Sequence, residues 1–278
     1  MWFNLRNYLR DETPGEDLER KTAPDPETHR EAVARMILLG QPDLLAVGEI
    51  GDDDDLRDLQ DRLSKAGLSF PHTTRLEAAE GGRHLAFLSR WPVLSHGSTN
   101  DVLLDPSQSR LRMRRGILDV TVGLETAKAK GSLRIVAVHL KSRRPVPQDE
   151  AVLRRLEAGA LRKHLDAIAS ADSEAPLLVC GDFNATRDSE EMREVMGVRG
   201  GKGYLHEVKL EDDRGLRWTY FHAESDTYER IDFMLVNKAA RRMIAPERST
   251  VLWDPDWFTA SDHRPLVITL RLAPLQSP

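Results

Sequence analysis

The chain has 278 residues, of which 40% are hydrophobic and 31% are charged, a composition that excludes disordered and fibrous proteins. Its 45 Asp and Glu outnumber its 40 Lys and Arg, and the net charge of −5 excludes a protein that binds nucleic acid over its whole surface. One cysteine, Cys180, excludes a disulfide within the chain. No apolar run reaches the roughly 18 residues of a membrane span, so no span is predicted.

The N-terminus leaves little room for a first strand, because only three residues precede the polar Asn4. Either that strand is short, or an upstream segment such as an export leader precedes it. As the chain stands, we expect a cytoplasmic location. Residues 10–26 are polar and aperiodic, which predicts a long loop. No flexible linker divides the sequence, so we expect residues 1–278 to form one domain.

Three segments have the apolar spacing of amphipathic helices, at residues 27–39, 55–66 and 149–169. In each, the apolar side chains share one face and the other face is charged. The acidic run at residues 52–55 precedes the second helix. The helix dipole favours acidic residues at that position, and a cation site is the alternative interpretation.

Eight runs have the composition of strands, at residues 42–50, 84–89, 116–124, 133–140, 176–183, 217–221, 230–236 and 265–272. In the third run apolar residues alternate with polar ones, whereas residues 177–180 are apolar throughout. The first pattern is typical of a strand with one covered face, and the second of a strand covered on both faces. The mixture predicts two packed sheets with helices outside.

Two motifs carry residues suited to phosphate chemistry. In the sequence GDFN, strand alternation predicts that Asp182 and Asn184 share a face, where they can supply a base and a hydrogen-bond donor; both are also common turn formers. In SDHRP, Asp262 and His263 precede a predicted strand. A histidine beside a carboxylate is readily held protonated and can donate to a phosphate oxygen.

The ordered set of polar residues resembles the endonuclease/exonuclease/phosphatase superfamily, nearest to deoxyribonuclease I and bacterial nuclease members. The set consists of Asn4, Glu49, His139, Asp182, Asn184, Asp232, Asp262 and His263. The segment WTYF before RIDFMLV adds to the resemblance, which covers nearly the whole chain. It implies a four-layer α/β sandwich, with two packed mixed β-sheets flanked by helices.

The resemblance also implies roles for these residues. Glu49 is implied as the main Mg²⁺ ligand, with Asn4 and Asp262 as further ligands and Mn²⁺ as a substitute ion. Asp182 is implied to activate or position the attacking water, while Asn184 and His139 hold phosphoryl oxygens. The resemblance also implies that His263 is paired with the carboxylate of Asp232. Which group serves as the general base stays open.

One departure from the family pattern is Gly48, which stands where a glutamine commonly precedes the metal-binding glutamate. At the position of His139, the abasic-site enzymes of the family usually have a tyrosine. That histidine indicates the deoxyribonuclease I side of the family.

Two basic stretches flank predicted strands and are candidates for binding flanking phosphates. They are Arg110, Arg112, Arg114 and Arg115, and then Lys141, Arg143 and Arg144. We single out Arg115, Lys141 and Arg143 as phosphate ligands, because guanidinium and ammonium groups bind phosphate. The alternative is a solvated charged edge.

The substrate stays open at this stage. Nucleic acid is the first hypothesis, although no aromatic-rich basic strip that stacks bases is evident in the sequence. An inositol phosphate, a phospholipid headgroup or another phosphorylated small molecule is the alternative. A sphingomyelinase-like activity would require an exposed apolar hairpin, which the sequence does not indicate. A non-catalytic binding module of the same fold is a further alternative, and Gly48 is the departure that favours it. No protein partner is predicted.

Overall fold

The computed structural model describes residues 1–9, 25–105, 111–126, 129–144, 146 and 149–272. The strands are β1 (Trp2–Tyr8), β2 (Leu44–Ile50), β3 (His72–Leu76), β4 (His84–Ser89), β5 (Val93–His96), β6 (Leu118–Thr126), β7 (Ala129–His139), β8 (Leu177–Asp182), β9 (His206–Glu207), β10 (Tyr220–His222), β11 (Thr227–Glu229), β12 (Asp232–Val236), β13 (Thr250–Val251) and β14 (Leu266–Val267). The helices are α1 (Pro26–Gly40), α2 (Asp53–Lys65), α3 (Glu150–Ala171), α4 (Glu190–Met196), α5 (Lys238–Arg241) and α6 (Trp257–Ala260), with a 3₁₀ turn at Pro246–Arg248.

Two six-stranded mixed sheets and one separate hairpin make up the β-structure. The first sheet has the order β13-β14-β1-β2-β4-β3, and the second has the order β5-β6-β7-β8-β12-β9. Strands β1 and β2 run parallel, as do β7 and β8, while the other pairs are antiparallel. The hairpin is formed by β10 and β11.

The core has three layers of apolar contacts, and these confirm the predicted four-layer sandwich. Between the two sheets, Phe87 from β4 packs in one cluster with Ile135 from β7 and Met234 from β12. Helices α1 and α2 cover the outer face of the first sheet. Helices α3 and α4 cover the outer face of the second sheet. Each sheet therefore buries both of its faces.

The sequence predicted the helices and strands in the middle of the chain better than the strands near its two ends. The three predicted helices are present, and Asp52 at the acidic run caps α2 by accepting hydrogen bonds from the backbone N–H groups of Asp54 and Asp55. Strand β1, for which the sequence left little room before Asn4, has seven residues and continues past Asn4 to Tyr8, with a register shift against β2 between these two residues. The predicted strand at 265–272 forms only β14, with one isolated bridge beyond it.

Most of the predicted loop at residues 10–26 lies outside the described residues, and its last residue begins α1. Within the described part of the chain, no helix has both the length and the apolar character that crossing a membrane requires.

A buried ion pair fixes the segment that leads into β14. Arg264 is fully buried, and its Nη2 donates to Asp212 Oδ2 at 2.7 Å. The same guanidinium donates to the backbone carbonyls of Leu252 and Trp218, at 3.1 and 3.2 Å. These contacts join three loops immediately beside His263.

We predict that Arg264→Met lowers the free energy of unfolding by about 3–5 kcal/mol, because it leaves the buried carboxylate of Asp212 without its charged partner. Chemical denaturation measures this change. The exposed neighbour offers a control, since Asp213→Asn should change the free energy of unfolding by less than about 0.5 kcal/mol. A loss of under about 1 kcal/mol for Arg264→Met would contradict the prediction.

Candidate functional site

Three polar side chains lie in a row across one end of the second sheet. His139 ends β7, Asp182 ends β8 and Asp232 begins β12, and the strand registers pair His139 with Asp182 and Asp182 with Asp232. On each of these strands, the residue two positions away, toward the middle of the strand, belongs to the core cluster between the sheets. Because strand side chains alternate, the three polar groups also face the other sheet. Each of them is at most 2% exposed.

His263 reaches this row from the first sheet, just before β14. Its Nδ1 lies 2.8 Å from Asp232 Oδ2, and its Nε2 lies 3.8 Å from Asp182 Oδ2. Burial lowers the pKa of His263, but the carboxylates of Asp232, Asp182 and Asp262 outweigh burial and raise the pKa to about 10. The ring is therefore an imidazolium at neutral pH, with Nδ1 donating to Asp232.

The carboxyl group of Asp182 has a pKa shifted toward neutrality. Burial raises this pKa to about 7, with a further contribution from Asp232 and an opposing one from His263. The backbone N–H of Asn184 donates to Asp182 Oδ1 at 2.8 Å. A carboxyl group with this pKa can accept a proton near neutral pH and release it again.

His139 is held in the neutral form. Burial and the nearby Arg115 place the pKa of His139 well below its ordinary value. Its Nε2 lies 3.3 Å from Asp182 Oδ2 and 3.8 Å from Glu49 Oε1, so Nε2 is the nitrogen suited to carry the proton. Its Nδ1 is buried and finds no hydrogen-bond partner among the described residues.

Glu49 is a carboxylate surrounded by cationic and polar groups. Burial raises its pKa, but the guanidinium groups of Arg83 and Arg115 outweigh burial and lower the pKa to about 2. The backbone of Glu49 is left-handed, with φ of 61°, a conformation that costs energy in a residue other than glycine. The side chain is 17% exposed, so one edge of the carboxylate faces solvent.

Asn4 joins the two sides of the site. Its Nδ2 lies 3.4 Å from Glu49 Oε1 and 3.2 Å from Asp182 Oδ2. Its Oδ1 accepts a hydrogen bond from the backbone N–H of Arg6 at 3.0 Å. The carboxamide thus presents its nitrogen to the carboxylates, and it would have to rotate to present its oxygen to a metal ion.

Asp262 lies at the solvent-facing edge of the site, with a side chain that is 16% exposed. Its Oδ2 lies 3.9 Å from Nε of Arg6, and its Oδ1 accepts from Ser261 Oγ at 3.4 Å. The carboxylates of Asp262 and Glu49 are therefore partly exposed to solvent, whereas those of Asp182 and Asp232 are buried.

Among the described residues, one group of side chains has ligand atoms close enough together to hold a metal ion. Ligand atoms of Asp182, Asp232 and His263 lie within 4.8 Å of one another. In the structure, Nδ1 of His263 is engaged by Asp232 Oδ2 at 2.8 Å. Glu49 and Asp262 also supply carboxylate oxygens, the donor type that hard divalent ions prefer, at an edge that water can reach.

The predicted phosphate-binding residues differ in their surroundings. Arg115 is 9% exposed, its Nη1 donates to Leu140 O at 3.4 Å, and its charge acts on Glu49. Lys141 is 1% exposed, and its Nζ donates to the carbonyls of Ser142 and Arg144 at 2.7 and 2.9 Å. The ammonium of Lys141 is therefore engaged by its own loop, which argues against a direct phosphate contact.

Arg143 and Asn184 meet at the rim of the site. Arg143 donates from Nε to Asn184 O at 3.2 Å and from Nη1 to Glu229. Asn184 lies beyond the end of β8 with a left-handed φ of 49°, so strand alternation does not place it beside Asp182 as the sequence predicted. Its Nδ2 donates to Leu140 O at 3.0 Å. Arg110, from the first basic stretch, lies outside the described residues.

Sequence reasoning missed several residues of the site. Arg83 lies in the loop before β4, and its Nε is 3.7 Å from Glu49 Oε2. Trp2 donates from Nε1 to Asp232 Oδ1 at 2.7 Å. Thr219 Oγ1 accepts from the backbone N–H of Asp232 at 3.0 Å. Of these three residues, only Thr219 lies in a segment that the sequence analysis singled out, the WTYF segment.

Comparison with known proteins agrees with this geometry. Residues 1–263 match the model of the Endonuclease/Exonuclease/phosphatase family. The chain belongs to this family, whose members are phosphoester hydrolases. No curated protein matches the sequence significantly.

Solved structures share the fold at low sequence identity. The endonuclease/exonuclease/phosphatase from Bacteroides vulgatus is similar with a TM-score of 0.67 and 16% identity, covering 98% of this chain and 97% of that one. The human Nocturnin catalytic domain, with bound sulfate, has a TM-score of 0.65 and 19% identity, covering 91% and 89%. A mannosyl-6-phosphatase from Bacteroides thetaiotaomicron has a TM-score of 0.63 and 16% identity, covering 98% of each chain.

We predict that Asp232→Asn lowers the pKa of His263 by about 1–3 pH units, because the substitution removes the nearest negative charge. With a raised pKa, the imidazolium and its attraction to Asp232 persist below pH 10 and are lost as the pH rises through that value. NMR titration of the histidine ring protons measures this pKa. An unchanged pKa would show that Asp232 does not hold the charge of His263.

Proposed function

We propose that the protein is a metal-dependent phosphodiesterase that cuts nucleic acid by attack of water on phosphorus. The proposal is based on two adjacent buried groups, of which one can accept a proton at neutral pH and the other is positively charged. Asp182 has a pKa of about 7 and can take a proton, while His263 has a pKa of about 10 and remains a cation. A proton acceptor beside a fixed positive charge suits attack on a phosphate.

In this proposal Asp182 accepts the proton of the attacking water. The His263 imidazolium donates to a phosphoryl oxygen and stabilises the charge that builds there, while Asp232 holds the ring in place. The neutral His139 donates from Nε2 on the same side of the site. Asn184 has two N–H bonds in its carboxamide, so its bond to Leu140 leaves one for a phosphoryl oxygen.

We propose Mg²⁺, with Mn²⁺ as a substitute, as the ion held by Glu49 and Asp262, with Asn4 as a third ligand after rotation of its carboxamide. A bound divalent ion would supply positive charge for the phosphate and the leaving oxygen. Arg83 and Arg115 already hold Glu49 in its ionised form without an ion. That charge state is the one a hard cation requires.

Nucleic acid as the substrate is supported by an aromatic cluster beside Asp262. Phe221 stacks on Tyr228 at a ring distance of 4.6 Å, and Phe258 lies 5.7 Å from Phe221. The backbone N–H of Phe221 donates to Asp262 O at 3.0 Å, and the guanidinium of Arg6 lies over Phe258. Tyr228 is 55% exposed. Exposed rings beside cations are suited to stacking bases.

This cluster was not evident in the sequence, because its members are separated by up to 37 positions between Phe221 and Phe258. The hairpin β10–β11 supplies two of the rings, and α6 supplies Trp257 and Phe258. The fold thus brings together a surface that no local pattern predicts.

A small phosphorylated molecule is the second candidate substrate. The observation in its favour is that Lys141 and Arg143, the basic residues after His139, are engaged by backbone carbonyls and by Glu229. Fewer cations are then left for flanking phosphates. The similarity to a mannosyl-6-phosphatase is consistent with this candidate. Inositol phosphates and phospholipid headgroups belong to the same class of substrate.

We predict that turnover requires Mg²⁺ or Mn²⁺, and that Asp182→Asn lowers kcat by about 100-fold or more, because it removes the proton acceptor. The measurement is hydrolysis of single-stranded DNA, plasmid DNA, RNA, inositol phosphates and a sugar phosphate, with and without a chelator. Asp188→Asn is the matched control, since the side chain of Asp188 is 95% exposed.

Hydrolysis of sugar or inositol phosphates alone would replace nucleic acid with the second candidate. Absence of turnover on every substrate would favour a binding module of the same fold. Full activity of the Asp182→Asn protein would contradict the role proposed for Asp182.

We predict that Tyr228→Ala raises the KM for single-stranded DNA by about 5- to 150-fold, because stacking of one base contributes about 1–3 kcal/mol. The control substrate is an oligomer of the same length in which tetrahydrofuran replaces every base. Its KM should change by less than about twofold. Equal effects on both substrates would contradict a stacking role for Tyr228.

A further inference from the structure

Trp2 makes a hydrogen bond that spans the two sheets. Its indole Nε1 donates to Asp232 Oδ1 at 2.7 Å, from β1 in the first sheet to β12 in the second. Both side chains are at most 1% exposed. A hydrogen bond from a neutral donor to a buried carboxylate is charge-assisted, and it orients the carboxylate as well as stabilising it.

The carboxylate of Asp232 has a donor on each oxygen. Oδ1 accepts from Trp2, and Oδ2 accepts from Nδ1 of His263 at 2.8 Å. The backbone N–H of Asp232 donates to Thr219 Oγ1 at 3.0 Å. With both oxygens and the main chain held, the carboxyl group has a single orientation, and that orientation presents Oδ2 to Nδ1 of His263.

Gly48 leaves the space that the indole ring occupies. Strands β1 and β2 pair Asn4 with Gly48 and Trp2 with Ala46, so Trp2 and Gly48 lie on the same face. A Cβ atom at position 48 would lie 3.0 Å from Cη2 of Trp2, closer than ordinary contact. The glycine therefore leaves room for the large ring, and a Cβ at position 48 would require the indole to shift by a few tenths of an ångström.

We propose that Trp2 is a positioning residue, which fixes the carboxylate of Asp232 and through it the ring of His263. This inference rests on the proposed function for its effect on turnover. Trp2 also packs in the core between the sheets, so the role of its N–H must be separated from the role of its ring. Trp2→Phe makes that separation, because phenylalanine keeps an aromatic ring and lacks the donor.

The kinetic test compares the wild-type protein with Trp2→Phe. We expect kcat to fall by about 10- to 100-fold while KM changes by less than about twofold, because the substrate does not contact Trp2. Trp91→Phe is the matched control, since the indole of Trp91 donates to Glu125 O at 3.2 Å on the surface. It should leave kcat unchanged. A Trp2→Phe protein with wild-type kcat would overturn the proposal.

A double-mutant cycle distinguishes positioning from general destabilisation. In the Asp232→Ala background, Trp2→Phe should lower kcat by less than about twofold further, because the group it orients is gone. A merely structural role predicts the same fold-loss in both backgrounds. Equal losses would therefore also overturn the proposal.

An NMR measurement tests the contact without any turnover. The chain has five tryptophans, so ¹⁵N labelling gives five indole N–H signals, and the signal missing in Trp2→Phe identifies Trp2. We expect that signal to move upfield in Asp232→Ala, where its charged acceptor is absent, and the Trp91 signal to stay in place. If no substrate is cut, this shift still supports the positioning contact. An unmoved Trp2 signal would overturn it.

Discussion

The buried ion pair between Asp232 and His263 depends on the packing of the two sheets against each other. Asp232 belongs to the second sheet, whereas Trp2 belongs to the first sheet and His263 precedes its strand β14. Both contact the carboxylate from the side of the first sheet. Burying a carboxylate is costly without such partners, so the docking of the sheets and the satisfaction of this charge are coupled. The imidazolium exists at neutral pH because the fold places it among carboxylates.

The same constraint explains the different characters of the other acids. Asp182 lies deep in the row, where burial and a neighbouring carboxylate raise its pKa to about 7. Glu49 lies at the solvent-facing edge beside Arg83 and Arg115, and these two guanidinium groups lower its pKa to about 2. One fold thus holds one carboxyl group ready to exchange a proton and another permanently charged. Environments that differ in this way assign different chemical roles to similar side chains.

The sequence was sufficient for the sandwich and for most polar residues of the site, because both depend on patterns along the chain. The strand patterns predicted two packed sheets, and the family resemblance implied that His139, Asp182 and His263 belong to one site, where the structure places them close together. The sequence was not sufficient for contacts that are set by register between sheets. Trp2 reads as an ordinary apolar residue until the pairing of β1 brings its indole to Asp232.

Loops account for the remaining differences. Lys141 has the charge expected of a phosphate ligand, but its own loop folds back and supplies carbonyl acceptors to its ammonium. Asn184 adopts a left-handed conformation just after β8, which strand alternation cannot predict. The aromatic rings of the hairpin and of α6 meet only in three dimensions. In each case the position of the side chain is set by the conformation of a loop or by contact with residues far away in the sequence.

The pH dependence of kcat/KM for diester hydrolysis tests most directly whether Asp182 and His263 act as acceptor and cation. We predict that kcat/KM rises through about pH 7, as Asp182 loses its proton, and falls through about pH 10, as His263 loses its proton. A value of kcat/KM that keeps increasing through pH 10 would contradict a required imidazolium, and with it the central role of the Asp232–His263 pair.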